Sequence, residues 1–136
     1  IEAPGGFTVI NDAYNANPDS MRASLSTFAA LDVAGARIAV LGDMGELGSF
    51  APQLHEEVGA FAAECGLERL VCVGQLAQGI AAGAQKAGMP ADRIAMVADG
   101  AAALADVREH VVSGSAVLVK ASHFMALEKV VEGLVE

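Results

Sequence analysis

An α/β fold, built as an open, mainly parallel, doubly wound sheet of about five or six strands with helices on both faces, follows from three features of the 136-residue sequence. Short apolar runs alternate five times with segments of helical spacing. The runs lack the two-residue alternation of a sheet with one wet face, as strands covered on both sides require. No linker, internal repeat or low-complexity tract interrupts the pattern, so a single domain over residues 1–136 is expected.

The first strand is expected at Phe7–Ile10, after which Met21, Leu25 and Phe28 recur at i, i+4 and i+7. Pro18 suits the first turn of that helix and leaves Asn17 as its N-cap. The second strand is Arg37–Leu41, and the helix after it carries Leu54, Val58, Phe61 and Ala62 opposite Glu56, Glu57 and Glu64. Arg69–Val73 is the third strand, followed by Leu76–Ala87, an Ala- and Gly-rich segment with modest helix propensity. Ile94–Val97 is the fourth, with Leu104, Val107 and Val111 lined up behind it. Ala116–Val119 is the fifth, and Leu127, Val130, Val131 and Leu134 form the last apolar stripe. Right-handed β-α-β crossovers connect such units into a Rossmann-like sheet.

Composition excludes several classes. Eight Lys+Arg against seventeen Asp+Glu give a net charge of −9, so the chain is not expected to hold a nucleic-acid backbone or an anionic lipid surface. Hydrophobic residues make up 54% but aromatics only 4%, and no run approaches the ~18–20 apolar residues of a membrane-spanning helix. No stretch of these residues reads as a basic-then-apolar leader, and entry into a strand soon after Ile1 is expected of a cut at a domain boundary. Cys65 sits late in a helical run and Cys72 within an apolar strand, and both are expected as small buried thiols, in keeping with a cytoplasmic location.

In doubly wound sheets, ligands gather beyond the carboxyl ends of the strands. Candidate residues should therefore follow each strand. Asn11–Pro18 holds Asp12, whose carboxylate can accept from a ribose diol, with Tyr14 and Asn15 offering a ring, a hydroxyl and an amide. Asn17 serves either a cap or a ligand. The loop Gly42–Gly48 sets Asp43 and Glu46 among three glycines, and is either a turn or a site; it is no phosphate loop, lacking Gly-Lys-Ser/Thr. His55 follows on the next helix, more in keeping with a hydrogen-bonded interior histidine than a catalyst. Lys120 ends the fifth strand; it is either solvated or buried against an anion or a carboxylate such as Asp12. Ser122 and His123 are expected to open the last helix, with Ser122 as N-cap or anion ligand. Gly74-Gln75 and Ala98-Asp99-Gly100 read as ordinary turns. No metal-ligand spacing is legible.

Three stretches carry a resemblance. Asn11-Asp12-Ala13-Tyr14-Asn15-Ala16-Asn17-Pro18-Asp19-Ser20-Met21 is the most specific. Leu41-Gly42-Asp43-Met44-Gly45-Glu46-Leu47-Gly48, with His55 and Val58-Gly59, is the second; Val117-Leu118-Val119-Lys120-Ala121-Ser122, with Leu127-Glu128-Lys129-Val130-Val131, is the third. In this order they resemble the carboxy-terminal domain of MurF-type ligases in the Mur ligase superfamily. Many members have Gly-Ser-Arg where this sequence has Ala121-Ser122-His123.

The resemblance implies an ATP-dependent ligase that joins D-alanyl-D-alanine to a UDP-N-acetylmuramoyl-tripeptide through an acyl phosphate. It implies that the phosphate loop, the Mg2+ ligands and the UDP-sugar pocket lie in amino-terminal and central domains outside this chain, which alone is then inactive. It further implies that Asp12 meets the ribose of ATP, that Tyr14, Asn15 and Asn17 line the adenosine side, and that Asp43, Glu46, His55, Lys120 and Ser122 belong to substrate or closure loops. Two other classes compete. A receiver-like signalling module shares the β-α units and the lysine after strand five, yet needs an Asp after strand three, where Gly74-Gln75 stands. Another Mur or folylpolyglutamate-type ligase usually shows a histidine in the loop that here reads Tyr14–Asn17.

Overall fold

The computed structural model describes residues 1–13, 16–122 and 125–136. Five strands form one all-parallel sheet: β1 (Thr8–Asp12), β2 (Arg37–Gly42), β3 (Arg69–Val73), β4 (Ile94–Val97) and β5 (Ala116–Lys120). Their order across the sheet is β1-β5-β2-β3-β4. Helices α1 (Pro18–Ala29), α2 (Ala51–Ala62), α3 (Gln78–Lys86), α4 (Gly100–His110) and α5 (Glu128–Val135) alternate with them. Residues 1–3 bond back along β1, through Glu2–Thr8 and Ile1–Val9, and cover part of its outer edge.

This order dictates which face each helix covers. From β1 to β4 the chain advances one way, so right-handed crossovers send α1, α2 and α3 to one face. The step from β4 back to β5 reverses direction and sends α4 to the other, where α5 follows. The core divides accordingly. Met21, Leu25, Phe28, Val58 and Ile80 pack with Leu41, Leu70, Cys72 and Leu118 on the first face. Val107, Leu127, Val130, Val131 and Leu134 pack with Ile38, Val40, Val71, Val117 and Val119 on the second. The central strands thus bury both sets of alternating residues, which is why they read as unbroken apolar runs.

Two sequence expectations shift here. Strands β1 and β2 each run further than the apolar pattern, so Asn11, Asp12 and Gly42 are strand residues, not loop residues, while Lys120 ends β5 as expected. Pairing is the reason: Asn11 lies opposite Val119, Asp12 opposite Lys120, and Gly42 opposite Val73. The buried face of α2 is also rotated, being formed by Ala51, His55, Val58, Gly59 and Ala62, while Leu54 and Phe61 are only part-buried. Here α3 packs backbone to backbone: a Cβ at Gly59 would strike the Ile80 carbonyl, and one at Gly83 the Glu56 carbonyl. The glycines that weakened α3 as a helix are what let it pack so closely.

Candidate functional site

The carboxyl end of β5 is the topological switch point of the sheet. Chain leaves β1 and β2 toward the first face and β5, which lies between them, toward the second, so a crevice opens on either side of β5. Lys120 ends β5 on the first face. Its Nζ is 2.7 Å from Asp12 Oδ2, and the lysine side chain is 2% exposed against 37% for the aspartate. An aspartate is thus the partner that offsets the cost of burying this amine. The hydroxyl of Ser24, one helix away on α1, donates to the same Oδ2 at 2.7 Å. No partner to Oδ1 is found among the described residues, and Asp12 helps line a cavity of about 300 Å3 together with Asn11, Ser24 and Thr27. Asn11 Oδ1 accepts the Ala13 amide at 3.2 Å and shapes the turn out of β1.

The crevice on the other side of β5 is bounded by Gly42–Gly48. Four hydrogen bonds pin this loop. The Gly45 amide donates to Ser122 Oγ at 2.8 Å, and the Ser122 amide to the Asp43 carbonyl at 3.3 Å. The Met44 amide donates to His55 Nε2 at 3.0 Å, while the Ala77 amide donates to the Asp43 carboxylate at 2.7 Å. His55 is fully buried, and its Nδ1 lies 2.6 Å from the Ala51 carbonyl. A carbonyl only accepts, so Nδ1 carries the proton and Nε2 presents the lone pair that Met44 uses. His55 and Asp43 therefore hold the loop from within and do not face the crevice. Glu46 does face outward; it is exposed and has φ 61, a left-handed conformation that costs a non-glycine residue roughly 1–2 kcal/mol.

Several expectations are revised by this geometry. Ser122 does not cap the last helix. Ala126 at φ 54 breaks the chain before α5, whose N-cap position is Leu127, so the Ser122 hydroxyl turns to Gly45. Asn17 caps α1 in a reciprocal box: its side chain accepts from the Ser20 amide at 2.8 Å and its amide donates to Ser20 Oγ at 3.0 Å. The turn after β3 is no ordinary one, because Gly74, at φ 107, sits where a Cβ would lie 2.6 Å from the Asp43 carboxylate. Tyr14, Asn15 and His123 lie outside the described residues. Sequence reading missed Ser24, since a serine in mid-helix carries no signal of a partner twelve residues back.

Asp12, Lys120, Ser122 and the Glu46 loop thus meet along one rim of one sheet. Among the described residues, no group of three or more His, Cys, Asp or Glu is placed to hold a metal ion. Cys65 and Cys72 are both buried and unbridged.

Comparison with known proteins bears on this rim. The family model described as Mur ligase, glutamate ligase domain, matches residues 1–123. A UDP-N-acetylmuramoyl-tripeptide--D-alanyl-D-alanine ligase from Bacillus subtilis is 38% identical over 136 residues, covering 100% of this chain and 30% of its own length. A solved MurF structure from Acinetobacter baumannii superposes with TM-score 0.83 at 32% identity, covering 99% of this chain and 29% of that one. The MurF ligase from Thermotoga maritima in complex with ADP gives TM-score 0.79 at 27% identity, covering 98% of this chain and 29% of that one. This chain therefore spans about three-tenths of the length of the relatives it matches. Its sequence match over nearly the whole chain, together with the shared fold, means that it belongs to the Mur ligase family, in its glutamate ligase domain.

Proposed function

We propose that this chain is the carboxy-terminal domain of a three-domain, ATP-dependent ligase that adds D-alanyl-D-alanine to a UDP-N-acetylmuramoyl-tripeptide, and that it works as the lid that positions nucleotide and dipeptide. The observation that carries the reading is Asp12: two donors hold one of its carboxylate oxygens at the switch point, and among the described residues the other has no partner, which suits a ribose diol. The full-length relative from Bacillus subtilis bears the corresponding ligase name, and the relative from Thermotoga maritima was solved with ADP.

In this reading ATP phosphorylates the tripeptide carboxylate and leaves as ADP. The dipeptide amine then attacks the acyl carbon, and a tetrahedral intermediate expels phosphate to leave the new amide. The chain's own residues contribute orientation and water exclusion, which lower such a barrier by several kcal/mol on the order of magnitude. Asp12 receives the ribose hydroxyls, with Tyr14, Asn15 and Asn17 along the adenosine side. Lys120, Ser122 and the pinned Gly42–Gly48 loop border the incoming dipeptide. Magnesium, which accompanies ATP, is assigned to the central domain of the longer protein by resemblance to the family. Substrates of this kind, ATP and a UDP-linked sugar peptide, locate the reaction in the cytoplasm; no helix among the described residues is long and apolar enough to cross a membrane.

The test is Asp12→Ala in the full-length protein. The KM for ATP is expected to rise about tenfold or more, as loss of a charged hydrogen-bond partner implies, while the KM for the dipeptide changes little. An unchanged KM for ATP removes Asp12 from the nucleotide site and overturns the reading.

A further inference from the structure

The hydroxyl of Ser24 has an unusual assignment for a serine in the middle of a helix. Such residues ordinarily bond back to a carbonyl of their own helix or face water. Ser24 instead reaches across to β1 and donates to Asp12 Oδ2 at 2.7 Å. Lys120 Nζ reaches the same oxygen, also at 2.7 Å, from the neighbouring strand β5. The two anchors thus come from different layers of the fold, one from the sheet and one from the helix above it.

A carboxylate held by a single lysine can turn about its Cβ–Cγ bond and offer either oxygen to the amine, because a lysine is a point donor without directional preference. Adding a second donor on the same oxygen removes that freedom: any turn that exchanges the oxygens breaks both bonds. The consequence is a fixed orientation of the carboxylate at the edge of a cavity lined in part by Asn11, Asp12, Ser24 and Thr27. The Asp12 side chain stays 37% exposed although Oδ2 is held by two donors, so the carboxylate as a whole is open to solvent.

We infer that Ser24 is a positioning residue for nucleotide selection: it orients Asp12 so that Oδ1 accepts from the ribose hydroxyls, and so sets how strongly the protein prefers a ribonucleotide over a sugar that lacks them. This rests on the nucleotide reading of Asp12 proposed above. Ser24 itself touches no substrate in this scheme.

The experiment compares ATP with 2′,3′-dideoxy-ATP as the phosphoryl donor for the full-length protein, in the Ser24→Ala, Ser24→Thr and Asp12→Ala variants. Ser24→Ala is expected to raise the KM for ATP about three- to tenfold with kcat nearly unchanged, the range for the net loss of one ordinary hydrogen bond, since Ser24 acts on the nucleotide only through Asp12. It should narrow the preference for ATP over the dideoxy nucleotide by the same factor. Ser24→Thr retains the hydroxyl and should restore both values to within about twofold. If Asp12→Ala abolishes the preference and Ser24→Ala leaves it intact, Ser24 does not position the carboxylate and the inference fails while the nucleotide reading stands. The inference fails in the same way if Ser24→Ala lowers thermal stability and kcat without moving the preference, since that is a structural effect. If Asp12→Ala also leaves the preference intact, the nucleotide reading falls and the role of Ser24 falls with it.

Discussion

The two ends of the sheet each carry a shielded ion pair, and the pairs are built in opposite ways. At the amino-terminal end, Arg69 opens β3 and grips Asp106 of α4 with both carboxylate oxygens engaged, Nε to Oδ1 at 3.0 Å and Nη2 to Oδ2 at 2.7 Å. Its third nitrogen donates to the Asp92 carbonyl at 2.8 Å, and His110 approaches Asp106 from the next turn of the helix. Both side chains are about equally shielded, 16% and 14% exposed. The hydrogen bond to Asp106 holds the Arg69 guanidinium above its ordinary value despite the opposing effect of burial. At the carboxyl end, the Lys120 and Ser24 bonds both fall on one oxygen of Asp12, and the lysine is buried while the aspartate reaches solvent. A pair whose oxygens are all engaged is a staple. One whose described partners all fall on a single oxygen of a part-exposed carboxylate, at a switch point, has the form of a binding site.

Stability should separate the two ends most sharply. Asp106→Ala leaves Arg69 without its carboxylate and should lower stability by about 1.5–3 kcal/mol, read from the urea midpoint. It should leave the KM for ATP of the full-length protein unaltered. A loss below about 1 kcal/mol would show that the bidentate pair is no staple and would erase the contrast.

A smaller loss of stability and a larger loss of activity are expected at the other end. Lys120→Met replaces the buried amine with an apolar chain of similar length, and Asp12 is exposed enough to regain water. Stability should therefore fall by about 1 kcal/mol or less. In the full-length protein, kcat or dipeptide affinity should fall roughly tenfold or more. If both kinetic values are retained, Lys120 is structural, and the two ends are alike after all.

The smallest effect is a control in the interior between them. Burial pushes the Cys72 thiol up to about 12 from the ordinary 9.0, and burial followed by the charge of Glu64 raises Cys65. Both thiols should resist alkylation at neutral pH in the folded protein and react promptly in denaturant. Because the folded thiol of Cys72 keeps its proton where the unfolded one has lost it, its contribution to stability is complete below pH 9 and is lost as pH rises toward 12. A flat stability profile across that window would show that Cys72 is not shielded as described.

Much of this organisation was legible in the sequence. The apolar stripes of α1 and α5, namely Met21, Leu25 and Phe28, and Leu127, Val130, Val131 and Leu134, are all buried as their spacing implied. The Asp12–Lys120 pair was also foreseeable, because a strand-end lysine in a buried sheet needs an anion. Asp43 and His55 were harder. They occur in a stretch that resembles a functional motif, yet they point inward to Ala77 and Met44, and nothing in the spacing of a carboxylate or an imidazole tells which way it points. Ser122 misled for a different reason. Its residue type suits an N-cap, but the left-handed turn at Ala126 is a backbone feature that an alanine does not announce.

By itself the sequence determined the order in which strands and helices alternate and the stripes that α1 and α5 bury, because those follow from 3.6- and 2-residue periods acting over short distances. Strand order was decided only by the tertiary structure. Inserting β5 between β1 and β2 brings Lys120 against Asp12 across 108 residues of chain and carries Ser122 to Gly45 across 77. Contacts of that range depend on which strands pair and which face each crossover takes, and no local period encodes either.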